Sequence, residues 1–199
     1  MNKFVLASGN DHKLIEIKKV LKDFGIEIIT MAAVGLGDLE IIEDGETFEE
    51  NSLIKAKAVM DRTGLPTIAD DSGLMVDYLE GAPGVYSARF AGEDVTYEDN
   101  NDKLIQVLEK VSEDKRGAKF VTVMTLLFPS GDKIVARGEI EGKILKERKG
   151  ERGFGYDPLF YVEAYQQTFS EMPIELKNKI SHRGKALVAL KRKLEAYYG

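Results

Sequence analysis

Short apolar runs that suit β-strands alternate along this chain with segments of helical periodicity, and this alternation constrains the fold most strongly. Residues 3–7 have the composition of a buried strand, and 26–30 form a second strand-like run. Between them, apolar side chains from Leu14 to Phe24 recur at helical spacing, and Gly25 is a suitable helix stop. Alternating strands and helices, with one hairpin further on, predict an α/β protein with a mixed sheet.

Helix caps and turn residues place the remaining elements. Thr47 followed three residues later by Glu50 is a capping box, which predicts a helix running to about Gly64. Thr96 and Asp99 predict another helix in the same way. The other expected elements are short strands at 67–70 and 74–77 around an Asp71-Ser72-Gly73 turn, a hairpin of 119–128 and 133–140, and a last helix capped by Ser181.

Composition excludes several classes of protein. The 199 residues include 43% apolar residues, enough to form a core for one domain or for two small lobes. No apolar run is long enough to span a membrane, and the N-terminus lacks the features of a signal peptide. There is no cysteine, which excludes disulfides, thiolate zinc sites and a cysteine nucleophile. We therefore expect a cytoplasmic location and no contact with membranes.

Charge is distributed unevenly along the chain. The net charge of −6 argues against binding to long nucleic acid, because proteins that neutralise many phosphates are usually basic. All the charged residues between Asp38 and Glu50 are acids, whereas the segment from Met172 to Gly199 is rich in lysine and arginine. These segments are either two solvated faces or the metal and phosphate sides of one site, and charge alone does not decide between them.

The segment Ser8-Gly9-Asn10-Asp11-His12-Lys13 lies between a predicted strand and a predicted helix. Free amides at a helix start favour an anion, Gly9 permits close backbone approach, and Lys13 can reach a phosphate. The alternative is an ordinary turn with a surface lysine. The segment does not match a Walker loop.

Two adjacent carboxylates, Asp70 and Asp71, precede Ser72 and Gly73. Like charges this close raise each other's proton affinity unless a cation compensates, and carboxylate oxygens suit Mg²⁺. The alternative is a polar turn in which Asp71 caps backbone amides. Upstream, Glu43 lies in a loop without an evident structural role, while Lys55 falls within a helix, where a surface lysine is the default interpretation.

Two further segments are suited to binding an aromatic base. In Gly153-Phe154-Gly155-Tyr156-Asp157, glycines flank a phenylalanine that could stack on a base beside exposed backbone amides. Lys177, with His182 and Arg183 at a helix start, could contact a polyanion or a base edge. The alternatives are a β-turn with a buried Phe154 and an amphipathic helix with a basic face.

Taken together, six blocks in this order and spacing resemble the noncanonical purine nucleoside triphosphate pyrophosphatases, the HAM1-like inosine/xanthosine triphosphate pyrophosphatase family. The blocks are SGNxxK at 8–13, the acidic loop with ENSLIKAKA at 43–58, ADDSGL at 69–74, GAPGVYSARF at 81–90, GFGYDPLF at 153–160 and KNKISHRGKAL at 177–187. The resemblance implies one domain over residues 1–199, an elongated fold with two lobes around a twisted mixed sheet and a central cleft, and a homodimer.

The resemblance also implies an activity and assigns residues to it. The expected reaction is Mg²⁺-dependent hydrolysis of ITP, dITP and XTP to the monophosphate and pyrophosphate. Asp71 and Lys55 are the implied catalytic residues, and Asp71 and Glu43 the implied metal ligands. The implied substrate-binding residues are Ser8, Gly9, Asn10, Asp11, His12, Lys13 and Ser72 toward the phosphates, and Phe154, Gly155, Tyr156, Asp157, Lys177, His182 and Arg183 toward the base.

Three competing functions differ in what they would show. A nucleotide hydrolase with another cleavage position would release phosphate instead of pyrophosphate. A sensor that has lost its chemistry would bind triphosphates tightly without turnover. A module that binds RNA or DNA through the basic C-terminal helix would retain oligonucleotides in a salt-sensitive way. Arg89, in GAPGVYSARF, is expected to stabilise its loop rather than to bind phosphate.

Overall fold

The computed structural model describes residues 2–9 and 11–199, and of Asp11 and His12 it describes only the backbone. The strands within these ranges are β1 (Asn2–Leu6), β2 (Ile26–Thr30), β3 (Thr67–Val76), β4 (Gly117–Leu127), β5 (Lys133–Ile144), β6 (Phe160–Val162) and β7 (Gln167–Thr168). They form one seven-stranded sheet in the order β2-β1-β3-β4-β5-β6-β7. Strand β1 pairs in parallel with β2 and β3, whereas β6 pairs antiparallel with β5 and β7, so the sheet is mixed. The predicted α/β class is confirmed.

The helices begin and end at residues that local chemistry selects. The helices are α1 (Asp11–Leu21), α2 (Phe48–Thr63), α3 (Tyr97–Val107), α4 (Ile174–Ile180) and α5 (His182–Tyr198). Both predicted capping boxes form, at Thr47 before α2 and at Thr96 before α3, and Gly64 ends α2 in the left-handed conformation. Within the described ranges, no helix is long and apolar enough to cross a membrane.

The chain divides into two compact units. Unit 1 comprises residues 1–71, 122–138 and 185–199, and unit 2 comprises residues 72–121 and 139–184. In unit 1, side chains of β1, β2 and α1 form a core with Leu187, Leu190 and Leu194 of α5. A second cluster in unit 1 joins α2 to β1 through Ala56, Val59 and their neighbours. This packing brings together the first turn of α1, the body of α2 and the first half of β3, which carry the lysines and aspartates described below.

Unit 2 has its own apolar core. Leu74 and Val76 of β3 belong to it, together with Leu104 and Leu108 at the end of α3 and the phenylalanines at 120, 160 and 169. Arg116 is fully buried in this unit and donates to the carbonyl oxygens of Leu108 and Val111. The Leu108 carbonyl also accepts the Val111 N–H at 2.9 Å, so Arg116 adds a second donor there and fixes the turn that follows α3.

Several predicted boundaries are wrong. Residues 67–76 form one continuous strand, so the predicted turn at Asp71-Ser72-Gly73 does not exist. The cause lies in distant parts of the chain, because the two carboxylates of this segment are paired with lysines of α1 and α2. Helix α4 and the short strands β6 and β7 have no counterpart among the predicted elements. They are too short for their periodicity to emerge from a single sequence.

Candidate functional site

Lys55 holds two carboxylates together in unit 1. Its ammonium lies 2.6 Å from Glu43 Oε2 and 3.1 Å from Asp71 Oδ1. Glu43 comes from the acidic loop, Lys55 from the body of α2 and Asp71 from β3. The Lys55 side chain is only 12% exposed, so the default interpretation of a surface lysine is wrong. The loop, the helix and the strand thus bring three predicted site residues into one cluster.

The two ionisable groups at the centre of this cluster have shifted pKa values. Burial raises the pKa of the Asp71 carboxyl, although Lys55 and a hydrogen bond from Asn51 act in the opposite direction. Burial lowers the pKa of Lys55, but attraction to Asp71 and the hydrogen bond to Glu43 outweigh it, so the net pKa is raised. Lys55 therefore remains a cation, and Asp71 binds a proton more readily than an ordinary aspartate.

Asp70 has a different lysine as its partner. Its carboxylate is buried and lies 2.8 Å from Lys13 Nζ of α1. Because successive residues of a strand point to opposite faces, Asp70 and Asp71 are directed apart. Each carboxylate therefore has its own cation, which resolves the repulsion that their adjacency in sequence suggests.

A cavity of about 650 Å³ lies within unit 1 beside these charges. Its polar wall includes Ser8, Gly9 and Lys13 together with Glu43, Lys55 and Asp70. Asp71 is not one of the lining residues but contacts Lys55, which is. The rest of the lining was not predicted from the sequence and is largely apolar, with Leu14, Met31, Ala32, Leu39 and Ile41.

Asn51 is a residue of this cluster that sequence reasoning did not assign. It is 1% exposed, its Oδ1 accepts the Gly45 N–H at 2.8 Å, and its Nδ2 donates to Asp71 Oδ2 at 3.4 Å. It thereby links the acidic loop to β3. A signal was available in the sequence, because the position lies on the same face of α2 as Phe48 and Ser52, and an amide on a buried helix face needs polar partners.

The donors present fit a magnesium ion that arrives with a polyphosphate. Among the residues that the structure describes, no group of three or more acidic or histidine side chains forms a metal cage. Glu43 and Asp71 nevertheless converge on one cation, the Lys55 ammonium. Protein Mg²⁺ sites commonly use one or two carboxylates and complete the shell with water and substrate phosphates, so a two-carboxylate set is sufficient.

In unit 2, Phe154 lies on a turn that glycine makes possible. The residue is 45% exposed, so the interpretation of a buried Phe154 is wrong. Its N–H donates to Asp157 Oδ2 at 2.8 Å. Gly153 has φ +86°, and a Cβ there would lie 2.1 Å from the same Asp157 oxygen. Glycine is therefore required for the carboxylate to close the turn and present the ring.

A buried ion pair lies against the Phe154 turn. The Lys177 ammonium of α4 contacts Asp157 Oδ2, and both side chains are almost fully buried. The ammonium also lies 4.9 Å from the centre of the Phe154 ring, within cation–π distance. Burial raises the pKa of Asp157, while Lys177 opposes this shift. Lys177 thus contacts two other predicted site residues, Asp157 through an ion pair and Phe154 through its ring.

Some of the remaining predicted site residues of unit 2 have side chains that pack or form hydrogen bonds within the protein. The Tyr156 ring is buried and its hydroxyl donates to the Ser87 carbonyl at 2.8 Å, which leaves its backbone as the group able to contact a ligand. His182 stacks on Phe120 with ring centres 4.8 Å apart. Arg183, beside it at the start of α5, is half-buried. Burial raises the pKa of Tyr156, so its hydroxyl stays protonated.

The α4–α5 junction depends on a close backbone contact. Ser181 caps α5 as predicted, its hydroxyl accepting the Gly184 N–H at 3.1 Å. A Cβ at Gly184 would lie 1.9 Å from the Asn178 carbonyl oxygen, so only glycine fits there. Of the other predicted residues, Ser72 is half-buried in β3, whereas Asn10 and the side chains of Asp11 and His12 lie outside the described residues.

The fold is α/β, with lysine-bound carboxylates in one unit and an exposed, glycine-flanked aromatic turn in the other. These are the features of an enzyme that acts on phosphorylated, base-containing substrates. Comparison with known proteins defines the family. The Ham1 family model matches residues 4–193, and the chain belongs to the Ham1 family. The resemblance stated from the sequence blocks is confirmed.

Relatives and solved structures agree with this assignment. The chain is 49% identical over 201 residues to the dITP/XTP pyrophosphatase of Clostridium perfringens, with 98% of each chain covered. The structure of the Staphylococcus aureus Ham1 protein superposes with a TM-score of 0.92 at 38% identity, covering 98% of this chain and 100% of that one. A dITP/XTP pyrophosphatase structure from Mycobacterium abscessus gives a TM-score of 0.81 at 39% identity, with 96% and 99% covered.

Proposed function

We propose that this protein hydrolyses noncanonical purine nucleoside triphosphates, namely ITP, dITP and XTP, to the monophosphate and pyrophosphate. The names of its relatives support the reaction. The observation that carries the proposal is the Glu43–Lys55–Asp71 cluster, because it places an acid with raised proton affinity beside a cation and a second carboxylate. Such a set can accept a proton from water and neutralise phosphate charge at the same time.

Asp71 is the proposed general base. It removes a proton from a water molecule as the water oxygen bonds to the α-phosphorus. The bond from the α-phosphorus to the α,β-bridging oxygen breaks, and pyrophosphate leaves with that electron pair. Lys55, fixed between Asp71 and Glu43, stabilises the negative charge that develops on the phosphoryl oxygens. Holding water and phosphorus in line supplies a large part of the rate gain.

The phosphates themselves are assigned to the polar wall of the unit 1 cavity. Lys13 can move from Asp70 to a phosphate because its side chain is partly exposed, at 18%. Ser8 and Gly9 line the same cavity at the end of β1. We assign Asn10, Asp11, His12 and Ser72 to the same task on the strength of their place in the family motifs.

A magnesium ion is proposed to accompany the triphosphate, with Glu43 and Asp71 as its protein ligands. When bound, it supplies charge neutralisation, which allows a site rich in carboxylates to accept a tetraanion. Lys55 would then exchange part of its contact with these carboxylates for phosphate oxygens. Asp70 is directed to the opposite face of β3, which keeps its charge out of direct competition with Asp71.

Selection of the base is assigned to unit 2. Phe154 is exposed and is proposed to stack on the purine, and the Lys177 ammonium lies 4.9 Å from the centre of its ring. The backbone at Gly155, Tyr156 and Asp157, with His182 and Arg183, is proposed to contact the base edge. Hypoxanthine and xanthine carry a 6-keto acceptor where adenine carries an amino donor, so donors in this pocket would disfavour adenine.

A panel of nucleoside triphosphates tests this function. We expect ITP, dITP and XTP to be hydrolysed at least about 100-fold more efficiently than ATP in kcat/KM, because a site that donates hydrogen bonds rejects a base with mismatched donors. Chromatography should identify the monophosphate and pyrophosphate, and omitting Mg²⁺ should abolish turnover. Release of orthophosphate, or equal rates with ATP, would contradict the proposal, and tight binding without turnover would indicate a sensor.

Replacing Phe154 by alanine should weaken base recognition specifically. Stacking contributes roughly 1–3 kcal/mol per base, so we expect KM for ITP to rise about tenfold while kcat changes little. Steady-state kinetics with ITP and with inorganic tripolyphosphate as a competitor measure the effect. Phe90→Ala is the control, because Phe90 is a partly buried phenylalanine of the unit 2 core with a lysine over its ring but is not assigned to the base. Unchanged KM in the Phe154 variant would return Phe154 to a structural role.

Three broader features belong to the same proposal. We propose that residues 1–199 act as one catalytic domain with two lobes, since each unit holds only part of the residues assigned to the substrate. A homodimer is proposed from membership of the family and from exposed aromatic residues such as Tyr78 and Tyr86 in unit 2. The cytoplasm is proposed as the location because the nucleotide pool lies there.

A further inference from the structure

Asn101 is a buried amide in unit 2 that none of the roles above requires. It lies in the second turn of α3 and is 3% exposed. Its Nδ2 donates at 2.8 Å to the carbonyl of Tyr97, one turn earlier, and at 2.8 Å to the carbonyl of Gly155 in the Phe154 turn. A second contact joins the same elements, because the Tyr97 ring lies 6.2 Å from the Phe154 ring.

The amide oxygen of Asn101 indicates that the side chain is used for the hydrogen bond that its nitrogen donates to Gly155. Among the described residues, its buried Oδ1 has no hydrogen-bond partner. Rotating the amide would place Oδ1 against two carbonyl oxygens, so its orientation is determined. An unsatisfied buried acceptor disfavours folding, and an apolar residue of the same size would avoid it. The compensating feature is the donor directed at Gly155.

The bond to Gly155 sets the direction of a whole peptide group. The carbonyl of Gly155 and the N–H of Tyr156 belong to one trans peptide and therefore point in opposite directions. With the carbonyl held against α3, the Tyr156 N–H is directed away from α3. Gly155 adopts φ +60°, and glycine reorients its peptides more easily than other residues, so this direction needs an external anchor.

We propose that Asn101 is a specificity-determining positioning residue, which holds the Gly155–Tyr156 peptide so that it offers an N–H donor to the base. This inference rests on the proposed function. An N–H donor complements a 6-keto base, whereas a flipped peptide would offer a carbonyl oxygen, which complements the 6-amino group of adenine. One buried amide thereby contributes to the discrimination between the two kinds of base without contacting either.

The test compares Asn101→Leu with the matched variant Asn100→Leu. Asn100 is the preceding residue, is 2% exposed, and also makes two bonds through its amide, but to Ala88 and Ala91 in place of the Phe154 turn. The measured quantity is the ratio of kcat/KM for ITP to kcat/KM for ATP on one enzyme sample. This ratio does not depend on the fraction of folded enzyme, so a variant that folds poorly still gives an answer.

We expect Asn101→Leu to lower this ratio about tenfold, through a higher KM for ITP and a smaller loss with ATP, since one hydrogen bond to the turn is removed. Asn100→Leu should keep the ratio within about twofold. A ratio in Asn101→Leu equal to that of the unaltered enzyme would overturn the inference alone. Absence of any ITP preference in the unaltered enzyme would instead overturn the proposed function.

Discussion

Replacing Asp71 by asparagine is expected to lower kcat for ITP by about 10³-fold or more, because the amide can neither accept the proton of the attacking water nor serve as a charged metal ligand. The fold should survive this change. Burial raises the pKa of Asp71, which means that the folded protein disfavours the charged form at neutral pH. In this variant Lys55 loses one of its two carboxylates but keeps Glu43 at 2.6 Å. The two effects oppose each other, so the free energy of unfolding should change little, a combination typical of active-site residues.

Steady-state kinetics and thermal unfolding on the same preparation check both parts of this expectation. The matched control is Asp61→Asn. Asp61 lies on α2, is exposed, and is also paired with a lysine, Lys57, at 2.5 Å. That variant should keep both activity and stability, because an exposed pair within one helix contributes little. An Asp71→Asn enzyme with near-normal kcat would remove Asp71 from the role of general base.

The second large effect is expected for Lys177→Met, measured as stability. This change leaves the buried Asp157 carboxylate without its cation, and breaking a buried pair from one side costs about 3–5 kcal/mol. The loss should depend on pH. Burial already raises the pKa of Asp157 above its ordinary value of 3.8. A carboxyl whose pKa is higher in the folded than in the unfolded protein destabilises the fold as the pH rises above its pKa in the unfolded protein. The loss in free energy of unfolding should therefore be largest at neutral pH and shrink toward pH 4.

Urea unfolding at a series of pH values measures this dependence, with the unaltered protein at each pH as the reference. Lys57→Met is the control, because Lys57 forms an exposed ion pair and its loss should change the free energy of unfolding by less than about 1 kcal/mol. A Lys177→Met deficit that is small, or that grows as the pH falls, would show that Asp157 is not the group left unpaired.

Local chemistry made much of the fold predictable. The capping boxes at Thr47 and Thr96, the stop at Gly64 and the cap at Ser181 all act within a few residues, and each forms as expected. The error at 71–73 has the opposite origin. Aspartate, serine and glycine favour turns when judged by themselves, but here Lys13 and Lys55 stabilise the carboxylates within a continuous strand. Those lysines are too distant in sequence for a local pattern to include them.

The candidate site was predictable as a set of segments but not as a set of contacts. The residue blocks named Asp71, Glu43 and Phe154 before any geometry was known. Asn51 and Asn101 were not found, because their roles depend on the burial of a helix face and on carbonyls or carboxylates elsewhere in the chain. Polar residues on buried helix faces are the signal that could have identified both.

The amino-acid sequence by itself determined the α/β class, the helix ends and the family, because these depend on periodicity, caps and residue order along the chain. Only the tertiary structure decided that Lys55 is shared by two carboxylates, that Lys177 is buried against Asp157, and that Asn101 anchors the Phe154 turn. Ion pairs and buried hydrogen bonds join residues far apart in sequence, and their strength depends on removal from water, which folding alone brings about.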